Sequence, residues 1–590
     1  MAESARRCLA VVPLLAFASL ALAQAPVAVA PFGPVSVEGT GLSKLRRRLG
    51  DAAPTGAGVT LGEIEAGVPA WLPDARRTSL AHLAIESLPP SEQSSAHASL
   101  VLEYLCGAEG MASGATRVLA FEASHWLGLG FLNGSGPTPP ATTVAKVLNH
   151  SWIGASERAN VVLRKLDAAI DAQGLVVCVG VNNGPGPLDA PLLAHSFNAI
   201  VCGRADGEHR SGPTRPGCDR PGREKPDLVA PAEATSFATP LVAGACALLV
   251  ETARTRFPGQ PDAERPELIK AVLMAGAAHR SEWSNFAPNS GPLRGSTLRP
   301  LDPLWGADTL DIDRAHWILA GGEQEGAPQL QRAPQVSSQG WELAPVASQT
   351  SRFWRLRVDA RSESLSIVAA WNRQAYGNFT GWGLPNFDLE LWRVGEDGER
   401  ESLVGEAARA HFEVGNVASA SLIDNVEHLF VRGLAPGEYV LELRRGADGL
   451  VPWKVAVAWE LRCEEPELIG SGSLTSAGET ATLSFRGRAS LSEGGFVLEA
   501  SGGAPGAMAV LFASASGATM GAEGVTRLEG ELERVATVVL DERGEVELPL
   551  ELAMGANEPG SERWYQLAIL APHRPGGFAL TNAVRARLCR

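Results

Sequence analysis

The sequence predicts an α/β fold with a doubly wound, mainly parallel sheet, followed by two antiparallel β-sandwich domains. Three observations lead to this prediction. Between residues 53 and 322, apolar strand patterns alternate with helical patterns such as 158–173, which is typical of a parallel sheet covered by helices. Residues 323–339 have the polar, turn-rich composition of a linker. From residue 340 onward, short alternating strand patterns follow one another between turns, as in β-sandwiches.

The N-terminus has the features of a targeting segment. Arg6 and Arg7 precede an apolar stretch, and Ala21-Leu22-Ala23 fits a signal-peptidase site. The stretch is too short to favour a permanent membrane anchor. We therefore expect a protein that is secreted or periplasmic, without a membrane span after signal removal. The predicted parts are a signal peptide (1–23), a short segment (24–52), an α/β domain (53–322), a linker (323–339) and two β-sandwich domains (340–462 and 463–590).

Composition limits the partners. The 590 residues include 66 acidic and 51 basic side chains, which gives a formal net charge of −15. Such a balance argues against nucleic acid and anionic membrane surfaces as partners. We expect a monomer that acts on proteins or peptides.

Eight cysteines are present, and Cys8 falls in the predicted signal peptide. Cys178 and Cys246 lie in apolar segments and are predicted to be buried thiols. Cys463 and Cys589 bracket the last predicted domain and are placed to link its ends. No cysteine or histidine spacing indicates a zinc site.

Residues 235–250, TSFATPLVAGACALLV, carry the strongest functional signal. Small residues recur along this run, which suits a helix that is packed closely on all sides. The hydroxyl of Ser236 is expected at the N-terminus of that helix. There, free backbone N–H groups and the helix dipole stabilise a developing negative charge. A serine placed in this way is suited to acyl transfer.

This run and the preceding KPDLVAP, residues 225–231, resemble the nucleophile motif of the subtilisin-like serine proteases (subtilases), G-T-S-x-A-x-P-x-V-A-G. The resemblance implies that Ser236 is the nucleophile of a Ser-His-acid triad whose members follow the chain order acid, histidine, serine. In most relatives a long loop separates the lead-in strand from the nucleophile motif. Here only three residues, 232–234, separate Pro231 from Thr235.

Two further segments resemble the other triad motifs of the family. GVTLGEIEAG, residues 58–67, is similar to the strand that ends in the catalytic acid, and it has Glu65 where the family has Asp. SSAHASLVLEYLCG, residues 94–107, is similar to the histidine helix and gives His97 as the base. A glutamate has the charge of an aspartate, but its side chain is longer by about 1.5 Å.

The resemblance also implies residues that bind the substrate. GLVVCVGVNNG, residues 174–184, is similar to the family strand that ends in the oxyanion asparagine, here Asn182. VLNHSWIG, residues 147–154, resembles the strand that lines the substrate cleft. Ser151, Trp152 and Gly154 are expected to offer backbone groups to an extended peptide there.

These motifs together predict a secreted serine endopeptidase with Glu65, His97, Ser236 and Asn182 at its centre. The alternative is an inactive subtilase-like scaffold that binds peptides or proteins outside the cell. The proposed chemistry needs no cofactor. Calcium is common in the family, but the sequence identifies no calcium ligands.

Overall fold

A computed structural model describes residues 35–589 except 155–159, 190–192, 492–494, 522–523, 553–557 and 575. The predicted signal peptide, 1–23, lies outside the described residues. Three regions of regular structure follow along the chain: an α/β part, and then two sets of antiparallel sheets.

The α/β part is built on a seven-stranded sheet in the order β7-β6-β5-β4-β1-β3-β2, and every neighbouring pair is parallel. Its strands are largely buried because both faces of the sheet are covered, except for β2 at the edge, which is partly exposed. They are β1 Leu61–Glu65, β2 Ala84–Leu88, β3 Arg117–Glu122, β4 Val147–His150, β5 Val176–Gly180, β6 Ile200–Arg204 and β7 Leu228–Ala230.

Helices cover both faces of this sheet. They are α1 Leu42–Leu49, α2 Ala96–Cys106, α3 Asn160–Gln173, α4 Thr235–Arg256, α5 Pro266–Ala275 and α6 Ile312–Ala320. Short helical turns occur at Gly50–Ala52, Thr78–Leu80, Ala123–His125, Trp126–Gly130, Pro261–Glu264, Leu330–Arg332 and Glu406–Ala408. Helices α2 and α4 pack together against one face of the sheet, and α3 lies on the other face.

Helix α4 is the central helix of the core. Its residues 237–250 are buried, and Gly244 lies so close to Met111 and to the Leu105 carbonyl that a side chain there would clash. The helix is long and apolar enough to cross a membrane, but 89% of its most apolar window is buried in the protein. It is therefore a core helix. The close packing predicted from its small residues is confirmed.

The first set of antiparallel sheets encloses its own hydrophobic core. One sheet has the order β8-β14-β10-β12 and the other contains β11-β13-β9. The strands are β8 Gln339–Val346, β9 Ser351–Val358, β10 Ser364–Ala370, β11 Phe387–Val394, β12 Val426–Arg432, β13 Gly437–Arg445 and β14 Trp453–Arg462. Shorter strands at Gln374–Ala375, Trp382–Gly383, Arg400–Ser402, Val414–Gly415 and Ala418–Ser419 complete this region.

The second set forms a separate core. Its sheets have the orders β15-β22-β21-β18-β19 and β16-β17-β20. The strands are β15 Glu467–Ile469, β16 Thr482–Arg486, β17 Phe496–Ser501, β18 Met508–Ser514, β19 Glu533–Val539, β20 Val546–Leu550, β21 Glu562–Leu570 and β22 Ala583–Arg587. A disulfide joins Cys463 to Cys589 and links the ends of this region. The predicted fold class, α/β followed by antiparallel β-sandwiches, is confirmed.

The α/β part and the first sandwich share a charged, fully buried junction. Arg373, which follows strand β10, donates from Nε to Asp167 on α3 at 2.6 Å and from Nη1 to Asp219 at 2.7 Å. Arg373 and Asp167 are 1% and 0% exposed. In addition, Ser296–Thr297 pairs in parallel with Ala418–Ser419 and so joins a sheet of the sandwich. The two regions therefore contact each other through specific polar groups as well as apolar surface.

Candidate active site

Strand β1 ends at Glu65, whose carboxylate is fully engaged. Its Oε2 accepts a hydrogen bond from His97 Nδ1 at 2.7 Å, and its Oε1 accepts one from the Ala66 N–H at 2.9 Å. The Glu65 side chain is 4% exposed, whereas that of His97 is 41% exposed. The glutamate is thus buried beneath a histidine whose side chain is accessible from solvent.

His97 is the second residue of α2, a helix that Ser95 caps by accepting the Ala98 N–H. Burial lowers the pKa of His97, but the hydrogen bond and the negative charge of Glu65 outweigh it. The net pKa lies above the usual 6.5. A donated Nδ1 hydrogen leaves Nε2 as the atom that can accept a proton.

Ser236 lies in the first turn of α4, as the sequence predicts. Ala234 O accepts from the N–H groups of Phe237 and Ala238, and Asn183 Oδ1 accepts from the Thr235 N–H at 2.9 Å. Within the part of the chain that the structure describes, the Ser236 N–H is therefore the first-turn amide left without a partner.

Pro240 changes the hydrogen bonding of this first turn. A proline has no N–H, so the carbonyl four residues earlier, Ser236 O, loses its helical partner. The Ser151 hydroxyl replaces it and donates to Ser236 O at 2.9 Å. In return, the Ser236 hydroxyl donates a long hydrogen bond of 3.5 Å to Ser151 O. Ser151 is itself fixed by Asn149 Nδ2, which donates to its hydroxyl at 3.0 Å.

Aromatic contacts bring the histidine and serine elements together. The ring of Phe237, next to Ser236, lies 6.2 Å from the His97 ring and stacks on Tyr104 of α2 at 4.9 Å. No hydrogen bond joins His97 to Ser236 among the described residues. Hydrogen bonds of this kind are often long in free enzymes and shorten when substrate binds.

The Asn182-Asn183 turn adjoins the start of α4. Asn182 Nδ2 donates to Asp189 Oδ2 at 2.8 Å, which leaves its second amide hydrogen available. Its neighbour Asn183 holds Thr235 through both the backbone N–H and the hydroxyl. The turn is therefore attached to the helix that carries Ser236.

The expected cleft residues lie along the end of β4. Trp152 is 9% exposed, and its Nε1 donates to His150 Nδ1 at 3.2 Å. Gly154 is partly exposed and is the last described residue before the gap at 155–159.

Sequence reasoning missed several residues that build this site. Asn183, Asn149 and Asp189 hold the predicted residues in place, and Glu63 is buried beside Glu65. The sequence signal was indirect: Asn149 and Glu63 are polar residues within segments that the sequence predicts as buried strands.

The parallel sheet is doubly wound, and its buried central helix begins at a Thr-Ser pair beside a Glu-His pair. This arrangement is typical of a subtilisin-like fold. Residues 138–295 match a family model described as Peptidase S8, Subtilase family. This segment of the α/β part is therefore similar to the subtilase family, as the sequence motifs predict. The match includes Ser151, Asn182 and Ser236 but begins after Glu65 and His97. It does not favour the alternative of an inactive scaffold.

Solved structures similar to this chain include MycP1 from Mycobacterium smegmatis, at 16% identity and a TM-score of 0.30, covering 49% of this chain and 86% of that chain. Fervidolysin from Fervidobacterium pennivorans matches at 13% identity and a TM-score of 0.31, covering 90% of this chain and 71% of that chain. These values are too low to transfer a function. No curated protein matches the chain.

Proposed function

We propose that the protein is an endopeptidase that cleaves peptide bonds through Ser236, His97 and Glu65. The 2.7 Å hydrogen bond between His97 Nδ1 and Glu65 carries this proposal, because it fixes the tautomer that leaves Nε2 free to act as a base. Ser236 is the chain neighbour of Phe237, whose ring lies 6.2 Å from the His97 ring, and we propose that its hydroxyl turns from Ser151 O to that nitrogen when substrate binds.

The reaction then has two stages. His97 takes the Ser236 proton as the hydroxyl attacks the peptide carbonyl, and the Ser236 N–H and the free Asn182 amide hydrogen stabilise the oxyanion. His97 next protonates the leaving amine, and water releases the acyl group by the same steps. Glu65 keeps the hydrogen bond to Nδ1 and stabilises the imidazolium.

An extended peptide is the proposed substrate form, and the end of β4 at Ser151, Trp152 and Gly154 is its proposed binding strand. Backbone groups at a strand end can pair with a substrate of any sequence. We propose that catalysis needs no metal or other cofactor. Assays with added calcium and with a chelator test this statement.

A fluorophosphonate probe tests the nucleophile directly. We expect the wild type to be labelled, S236A to remain unlabelled, and the exposed-serine control S290A to be labelled like the wild type. Mass spectrometry of an unfolded protein substrate should show internal cuts if the enzyme is an endopeptidase. A folded wild type that neither takes up the probe nor cuts the substrate would refute the proposal.

We also propose that the protein is exported as a monomer. The apolar N-terminal segment supports export, and so does the bond between Cys463 and Cys589, because disulfides persist in oxidising compartments. N-terminal sequencing of protein recovered outside the cytoplasm tests export, and light scattering tests the oligomeric state.

A further inference from the structure

Glu63 is a buried acid that the proposed reaction does not use. It lies two residues before Glu65 on strand β1, so the two side chains share one face of the sheet. Glu63 is 1% exposed, and neither of its carboxyl oxygens has a hydrogen-bond partner among the described residues. A carboxylate in such a place would be very costly, because it would lose its hydration without gaining a partner.

A complementary group lies on the next strand. Asn149 is the register partner of Glu63 on β4, and neighbouring side chains in register point to the same face of a parallel sheet. Asn149 is fully buried, and its Oδ1 also lacks a partner within the described part of the chain. One group thus offers oxygens that can carry a proton, and the other offers an acceptor.

Among the described residues, Glu65 is the charged group that acts on Glu63, and its charge is negative. The strand of Glu63 contributes the charge of Glu65, helix α2 contributes the Cys106 thiol, and strand β3 places Ala120 opposite Glu63. Burial, followed by the charge of Glu65, raises the pKa of Glu63 well above 4.5. The protonated form, which is an O–H donor, is the form that this environment favours.

We propose that Glu63 is a neutral carboxylic acid that donates a hydrogen bond to Asn149 Oδ1, directly or through one buried water, and so positions the nucleophile Ser236. The effect on Ser236 rests on the proposed function, whereas the hydrogen bond itself does not.

The path from Glu63 to the nucleophile is short. A donor at Asn149 Oδ1 fixes the amide so that Nδ2 faces Ser151, to which it donates at 3.0 Å. Ser151 then holds the Ser236 carbonyl that Pro240 leaves free. Ionised Glu63 would instead attract the Asn149 amide hydrogens, turn the side chain and release Ser151. Glu63 is therefore a positioning residue that works only while it is protonated.

Infrared difference spectroscopy tests the protonation state without any assay of activity. Glu63→Gln keeps the size and a donor but cannot ionise. We expect the wild-type minus E63Q spectrum at pH 7 to contain the C=O band of a neutral carboxylic acid. E103Q is the matched control, because Glu103 is ion-paired with Arg77 and should contribute only carboxylate bands. Carboxylate bands in the E63Q difference spectrum would overturn the proposal.

The pH dependence of unfolding gives a second, independent measurement. A group whose pKa is higher in the folded than in the unfolded chain holds a proton that unfolding releases above about pH 4.3. From there up to the folded pKa of Glu63, the unfolding equilibrium constant of the wild type should rise about tenfold per pH unit relative to E63Q. Parallel curves for the two proteins would contradict a protonated Glu63.

The labelling rate of Ser236 between pH 7 and pH 10 tests the positioning role. E63M has no donor and should be labelled about tenfold more slowly, while E63Q should regain the rate that E63M loses. The wild type should lose rate as the pH rises through the folded pKa of Glu63, whereas E63Q should not. Identical pH profiles for the wild type, E63Q and E63M would refute positioning. If no protein is labelled, the proposed function fails, and the infrared and unfolding measurements still decide the state of Glu63.

Discussion

Replacing Glu65 by aspartate, the residue of the family motif, should damage the enzyme. Loss of one carbon–carbon bond withdraws the carboxylate by about 1.5 Å. The distance to His97 Nδ1, now 2.7 Å, would grow to roughly 4 Å if the backbone stays in place, which is beyond hydrogen-bonding range. A misplacement of this size costs on the order of a hundredfold in kcat/KM, or about 2.7 kcal/mol of transition-state stabilisation.

The assay is the second-order rate constant for fluorophosphonate labelling, followed by kcat/KM on the best peptide substrate. E103D is the matched control, because it shortens a partly buried glutamate of the same domain whose carboxylate pairs with Arg77 and not with His97. E103D should behave like the wild type. An E65D enzyme as fast as the wild type would show that the length of the side chain at this position does not set the His97 geometry, and our reasoning from the 2.7 Å contact would be wrong.

Two further predictions concern charge. E65Q removes the carboxylate that raises the pKa of His97, so that burial, which lowers this pKa, should dominate. The acid limb of the kcat/KM profile should therefore move to lower pH than in the wild type. An acid limb at the same pH in both proteins would contradict this prediction. R373M leaves Asp167 buried without its cation and should lower the free energy of unfolding by about 3–5 kcal/mol in denaturant titrations. The exposed-arginine control R444A should cost less than about 1 kcal/mol, and equal losses in the two variants would refute the argument.

The sequence was sufficient where local pattern and packing agree. Apolar strands alternating with helices predicted the parallel sheet, and the small residues of 238–247 predicted a helix buried on all sides. The pairing of Glu65 with His97 was also predictable, because each ends or begins an element whose motif places it at the same edge of the sheet.

Other features depend on contacts between distant segments, which no local pattern reveals. The role of Ser151 as the partner of the Ser236 carbonyl needs both Pro240 and the approach of β4 to α4. Asn183 looks like an ordinary turn residue until the start of α4 is seen against it. No sequence pattern predicts the buried ion pair of Arg373, because its partner Asp167 lies on a helix some two hundred residues earlier.

The buried Arg373–Asp167 pair has a consequence for how this protein can be rearranged by evolution or by protein engineers. Modular proteins exchange domains freely when the surfaces they expose on separation tolerate water. Here, separation would expose the unpaired strand edge at Ser296–Thr297 to water. It would also leave the Asp167 carboxylate of the α/β part without its cation. We expect the two regions to be inherited as one unit. A graft of the α/β part onto a different C-terminal partner would need to supply a new cation or to replace Asp167 by a neutral residue.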